Sequence, residues 1–276
     1  MPGNVLGSGV PFSPNRRHLS TGWRSRRPRL LHDLKVALLF LTRLPVRSDA
    51  PLDLSELAAA AHLFPVVGAL VGGCAALAYW AAILVGLPSL PASIAALATL
   101  IAVTGALHED GLADTADSLG AGADRERALA IMRDSRIGTY GTIALVLALL
   151  ARLIALAGLW EPAMVAGVLI AVGALSRAAL PVVMLVQPPA RRDGLAAAAG
   201  RPPPLRAAAG CALALLVALA CLPTPQALVA ALTVAAVAGL VAWRLARRFG
   251  GYTGDTLGAV QQAAEVAFLM AIVAQA

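Results

Sequence analysis

"TYGTIALVLALLARLIALAGLWEPAMVAGVLIAVGALSRAALPVVMLVQ", residues 139–187, decides the fold. It holds two apolar runs, 139–160 and 162–187, broken only at Trp160-Glu161-Pro162. Each is long enough to cross a hydrocarbon core of about 30 Å as a helix. Similar runs lie at 57–86, 90–107, 207–222, 225–243 and 255–276, making seven. In a bilayer every backbone N–H and C=O must be satisfied within the protein, and helices do this segment by segment. The expected architecture is an all-α polytopic membrane bundle of about seven transmembrane helices. Residues 34–46, "LKVALLFLTRLPV", are too short to span and read as an interfacial or re-entrant helix ended by Pro45.

Composition agrees. The chain is 59% hydrophobic and 13% charged, where soluble domains carry about 25% charge. The net charge of +7 comes almost entirely from arginine, Lys35 being the only lysine. Basic charge of this kind marks the cytoplasmic ends of membrane helices, so the expected environment is membrane lipid, with no nucleic-acid partner. The loops divide accordingly. "GLPSLP" (86–91), "WEP" (160–162) and "CLPTP" (221–225) are short and lack Lys and Arg, whereas 108–138, 188–206 and 244–254 hold most arginines of the membrane domain. The two sorts alternate, which puts every basic loop and the N-terminus inside and the C-terminus outside. The expected location is multi-pass in the cell's inner, cytoplasmic membrane with the site facing the cytoplasm. Residues 1–30, rich in Arg, Pro, Ser and Gly and without a carboxylate, read as a flexible basic cytoplasmic tail with no signal-peptide core. Residues 31–276 read as one integral domain. Cys74, Cys211 and Cys221 lie in apolar runs and read as small core residues.

The charged exception is "ALHEDGLADTADSLGAGADRERALAIMRDSRIGTYG", 106–141. On a helical wheel Asp114 and Asp117 fall about 40° and 20° either side of Asp110, so three carboxylates share one face. Like charges at this spacing repel. If the helix continues from 90–107, the dipole at its C-terminal end opposes them as well. Both terms call for a cation, so Asp110, Asp114 and Asp117 are the expected metal ligands; clustered oxygens suit Mg²⁺, Mn²⁺ or Ca²⁺, and phosphate chemistry would favour Mg²⁺. The bland alternative is a solvated acidic turn paired with Arg125, Arg127, Arg133 and Arg136. Asp134 and Arg136 precede Gly138 and Gly141, whose backbone N–H groups at a helix start suit a phosphate.

A second polar cluster lies in "FGGYTGDTLGAVQQAAEVAFLM", 249–270. Asp255 stands where an N-cap belongs, with Thr253 as another cap candidate. Gln261, Gln262 and Glu265 lie deeper in the apolar run, where an acid lines a cavity or pairs with a cation. Arg152, Arg177 and His62 are further intramembrane polar groups that could face that cavity. For His62 alone, a satisfied core histidine is the stronger reading. Arg191, Arg192, Arg201 and Arg206 crowd one basic loop and would attract a polyanion.

"HEDGLADTADSLGAG" with "DRERALAIMRDSRIGTYG", together with "FLTRLPV" (40–46), "FPVVGALVGG" (64–73) and "GYTGDTLGAVQQAAEVAFL" (251–269), resembles the cobalamin synthase family, the adenosylcobinamide-GDP ribazoletransferases. The resemblance covers about residues 34–276. It implies a Mg²⁺-dependent membrane transferase that joins adenosylcobinamide-GDP to α-ribazole or its 5′-phosphate, the last step of corrin nucleotide-loop assembly, releasing GMP. On that reading Asp110, Asp114 and Asp117 hold metal at the phosphoanhydride, and Arg136, with Arg191 or Arg192, takes up charge on the leaving GMP. Asp117 or Asp255 removes the attacking proton. Asp134, Arg177, Thr253, Gln262, Glu265 and His62 contact substrate, and the corrin rests among small residues such as Gly68, Gly72 and Gly73. Homo-oligomerisation and association with other corrin-assembly enzymes stay open. The rival class is an ion-coupled secondary transporter using Glu265, Arg152 and Arg177. The two halves show no inverted repeat of the kind such carriers often have.

Overall fold

The computed structural model describes residues 29–47, 53–122, 124–134, 136–159 and 161–275; the tail expected over 1–30 falls almost wholly outside them. Helix α1 (Arg29–Leu41) is followed by a span assembled in pieces. Short 3₁₀ turns at Leu54–Glu56 and Ala61–Leu63 flank α2 (Leu57–Ala60) and lead into α3 (Phe64–Leu84). Then come α4 (Ser89–Thr104), α5 (Leu107–Leu119), α6 (Arg125–Ile131), α7 (Thr139–Ala157) and α8 (Pro162–Val186). The chain ends with α9 (Leu195–Ala199), α10 (Pro204–Cys221), α11 (Thr224–Phe249) and α12 (Gly254–Val273). Among the described residues there is no strand, only a parallel bridge between Pro189 and Tyr252. Among the described residues six helices are long and apolar enough to cross a membrane, and the α4–α5 pair makes a seventh if counted as one bent span. Every apolar run of the sequence is therefore a helix.

Burial orders the bundle. α8 and α12 are its most enclosed spans, while α7, α10 and α11 keep most of their surface outward. Close backbone contact fixes α3 on α8: a Cβ on Gly68 would strike the Gly173 carbonyl oxygen, and one on Gly72 the carbonyl oxygen of Leu169. Small residues are what allow such approach between helices in lipid, where apolar side chains gain little by leaving the hydrocarbon. This corrects the expectation that Gly68 and Gly72 wall a corrin cavity. They are a helix seam, and Gly73 faces open space beside it.

Two boundaries also differ. α1 begins at Arg29 and stops at Leu41, four residues before Pro45, and Arg43 N–H then donates to the Val103 carbonyl (2.7 Å), tying this segment to the end of α4. α11 continues past the apolar run to Phe249, carrying Arg247 and Arg248 in its last turn, where the helix dipole favours cations.

Candidate active site

The site begins with a break in the chain. α4 ends at Gly105 (φ 65°), and Ala106, a non-glycine, also takes a left-handed conformation (φ 59°). α5 leaves at 87° to α4. The acidic motif is thus a helix of its own, with Glu109 and Asp110 in its first turn. The dipole favours anions there, which reverses the C-terminal placement expected from a continuous span. Gly111 lets α5 press against α12: a Cβ on it would lie 2.7 Å from the Asp255 carbonyl oxygen, and one on Gly258 only 3.1 Å from the Gly111 Cα. That contact gathers carboxylates from two helices, and Asp114 experiences the charges of Asp110, Asp255 and Asp117 together.

Asp117 does something else. Its two oxygens accept the backbone N–H groups of Gly138 (2.7 Å) and Gly141 (2.8 Å), so it holds the start of α7. A Cβ on Gly138 would come within 2.5 Å of the carboxylate. These are the N–H groups that the sequence offered to a phosphate; the protein's own carboxylate takes them. Thr253, and not Asp255, caps α12, through a reciprocal pair of hydrogen bonds with Thr256. Asp255 is left to meet Arg191 (3.2 Å).

A cavity of about 410 Å³ opens over this cluster. Its polar wall includes Asp110, Asp255, Thr253, Arg191 and Arg133, and its apolar wall includes Phe40, Phe64, Leu180, Met184 and Tyr252. α1 therefore belongs to the chamber, with Phe40 stacked on Phe64 at 5.9 Å between ring centroids. The bridge between Pro189 and Tyr252 fixes the loop bearing Arg191 against the start of α12. Arg125 reinforces that wall by donating to the carbonyls of Phe249 (2.7 Å) and Ala190 (2.6 Å).

Several expected site residues lie outside the chamber lining. Arg136 is almost fully exposed and pairs with Asp134 at 2.7 Å, and that hydrogen-bonded guanidinium holds the Asp134 carboxyl below its usual range. Arg192 is exposed. His62 is satisfied by the Ala59 carbonyl (2.9 Å). Arg177, Gln262 and Glu265 belong to a buried network below the chamber. There Arg152, 1% exposed, binds Glu265 and Glu109 at 3.0 Å each. Arg177 lies 3.9 Å from Glu265, Gln262 donates to Glu109 (3.2 Å), and Gln261 donates to Ser176 (3.0 Å). Two arginines and two glutamates cancel in charge. The buried ions that suggested a transporter are thus bound to one another.

Three charged or titratable chamber residues, Arg133, Asp193 and His108, escaped the sequence reading. Arg133 appeared only as a counter-ion for the acids; here it lines the chamber and pairs with Asp193 (2.7 Å). His108 lines the chamber from the first turn of α5, buried, with no hydrogen-bond partner for Nε2 among the described residues. Its signal was its place beside Glu109 and Asp110. Among the described residues, no three His, Cys, Asp or Glu side chains are already arranged to hold a metal ion.

The fold and the chamber define an all-α polytopic membrane protein with carboxylates and arginines facing each other at one end of an apolar bundle. The chain belongs to the cobalamin-5-phosphate synthase family, whose model matches residues 33–273. It is 47% identical over 242 residues to the adenosylcobinamide-GDP ribazoletransferase of Bradyrhizobium diazoefficiens, covering 87% of this chain and 93% of that one. It is 46% identical over 257 residues to the protein of the same name from Azorhizobium caulinodans, covering 90% and 97%. A third relative of that name, from Mesorhizobium japonicum, is 42% identical over 241 residues, covering 87% and 92%. No solved structure matches.

Proposed function

We propose that this chain joins adenosylcobinamide-GDP to α-ribazole, or to its 5′-phosphate, with release of GMP. The observation that carries the reading is the chamber, which faces Asp110 and Asp255 with Arg191 and Arg133 beside an apolar wall, in a chain closely related to ribazoletransferases. A diphosphate needs the cations, and a corrin or benzimidazole needs the apolar surface. The arginine-rich loops support a reading in which the chamber faces the cytoplasm from a cell inner membrane, with the N-terminus inside.

The donor set fits Mg²⁺, which takes one or two carboxylates and completes its shell with substrate phosphates and water. Asp110, which lines the chamber, and Asp114, next to it on α5 but outside the lining, would hold it, and a cation there would relieve the repulsion Asp114 experiences. When bound, the ion supplies charge neutralisation at the phosphoanhydride. Arg191, with Arg133, receives the negative charge that grows on the departing GMP. A ribose hydroxyl of α-ribazole attacks the phosphorus attached to cobinamide, the bond to the GMP oxygen breaks, and the hydroxyl proton passes to Asp255. Asp255 lines the chamber, whereas both oxygens of Asp117 are already engaged by backbone. Positioning and electrostatics dominate such transfers, which ask little covalent work of the protein.

The test is the purified full chain in detergent with adenosylcobinamide-GDP, α-ribazole and Mg²⁺, followed by detection of GMP and cobalamin. Formation of both in equal amounts supports the assignment; their absence in an inserted, monodisperse preparation refutes it. Loss of turnover on chelation, restored by added Mg²⁺, tests the metal separately.

A further inference from the structure

A second cavity, of about 690 Å³, lies between α8 and α11, with Cys211 of α10 beside it. Pro188, Gly250 and Gly251 line one end, so it shares with the chamber the loop wall whose other residues, Tyr252 and Arg191, line the chamber itself. The rest of the lining is almost wholly apolar, including Leu175, Val182 and Val183 on α8. The proposed reaction leaves this groove unused.

Its ends differ. Toward Ala231 it is uncharged, and at the chamber end it finishes on Trp243 and Arg247. Arg244 and Arg247 each lie over the Trp243 ring, 5.3 Å from its centre. Residues 240–254 contain three arginines and no acid. From Ala231 to Arg247 the helix rises about 24 Å, which exceeds one leaflet of a ~30 Å hydrocarbon core. The walls are membrane-spanning helices. Water is a poor occupant for such a groove, and tryptophan and arginine at its end mark headgroup level.

We propose that this groove is a binding site for one anionic phospholipid, its acyl chain lying between α8 and α11 and its phosphate at Arg247 and Arg244. Each arginine at headgroup level contributes about a fivefold preference for an anionic lipid.

Native mass spectrometry tests this on the full chain in detergent, offered an equimolar mixture of phosphatidylglycerol and phosphatidylcholine with identical acyl chains. One phosphatidylglycerol should be retained per chain in clear preference to phosphatidylcholine. Gly239 lines the groove and has nothing within 4 Å of a Cβ position, so the side chain of Gly239→Leu starts into open groove space. It should lower retention of both lipids about tenfold, since each buried methylene counts. Arg247→Gln should keep retention but lose about fivefold of the preference, and it tests the headgroup contact even if Gly239→Leu fails to insert. Equal retention of the two lipids by the unaltered chain overturns the proposal. So does full retention by Gly239→Leu, or a Gly239→Leu variant whose only change is its oligomeric state, which would make the groove an interface between copies.

Discussion

Arg191 and Asp255 meet at 3.2 Å across the chamber, one on the loop after α8 and the other in the first turn of α12. The pair is the point where the cationic and anionic walls touch, and an incoming diphosphate competes with Asp255 for the guanidinium. Arg191→Ala should therefore cut turnover by about 100-fold or more, the usual cost of removing a group that stabilises transition-state charge. Arg136→Ala, altering an exposed arginine paired with Asp134, should cost less than about tenfold. Steady-state GMP release by the two variants checks the ordering, and equal losses would return Arg136 to the site.

Asp114→Asn keeps the side-chain shape and removes one charge from a crowded acidic group. Membrane insertion should be unchanged and thermal stability without metal equal or higher, since a partly buried, repelled charge is gone, while Mg²⁺-dependent turnover falls by about 100-fold or more. Normal turnover at ordinary Mg²⁺ would remove Asp114 from the metal site.

Asp117→Ala addresses a different role. It leaves the N–H groups of Gly138 and Gly141 without their acceptor, and hydrogen bonds to a charged group contribute about 1.5–3 kcal/mol each. Thermal unfolding in detergent should show a clear fall in midpoint. Gly138→Ala should lower it too, by crowding the carboxylate. An unchanged midpoint in both variants would mean that the cap is dispensable.

Arg152→Met takes the only ion-pair partner Glu109 has among the described residues and leaves Glu265 to Arg177, and breaking a buried pair in this way costs about 3–5 kcal/mol. Combined with Glu109→Gln, one charge of each sign is gone and the network is neutral again. The double variant should recover much of the lost stability by the same unfolding measurement. A double variant as unstable as Arg152→Met alone would show that hydrogen-bond geometry, not charge balance, sets the cost.

The apolar runs read correctly as helices because hydropathy along the chain reports the solvent directly. The acid triplet read as one helical face, and Asp114 does experience Asp110 and Asp117 there; the approach of Asp255 from α12 had no sequence signal. The triplet's partition was hidden: whether a carboxylate faces a cavity or caps a neighbouring helix depends on where Gly138 arrives, and that is tertiary. The break at Gly105-Ala106 was also hidden, since an alanine at positive φ has no sequence signature. The role of Glu109 was hidden because its partner, Arg152, lies on another span. Gly68 and Gly72 invited a cavity reading because small residues serve close packing and open space alike, and only Gly173 across the seam decides between them.

The 87° elbow makes the length of α4 a compass setting. Because α5 departs nearly perpendicular to α4, one residue added to or removed from α4 would swing the whole acidic arm by about 100° around that axis, pointing it away from α12. Point changes in α4 that keep its count leave the bearing intact. A single-residue insertion or deletion there, far from any charged group, would disconnect the two halves of the chamber.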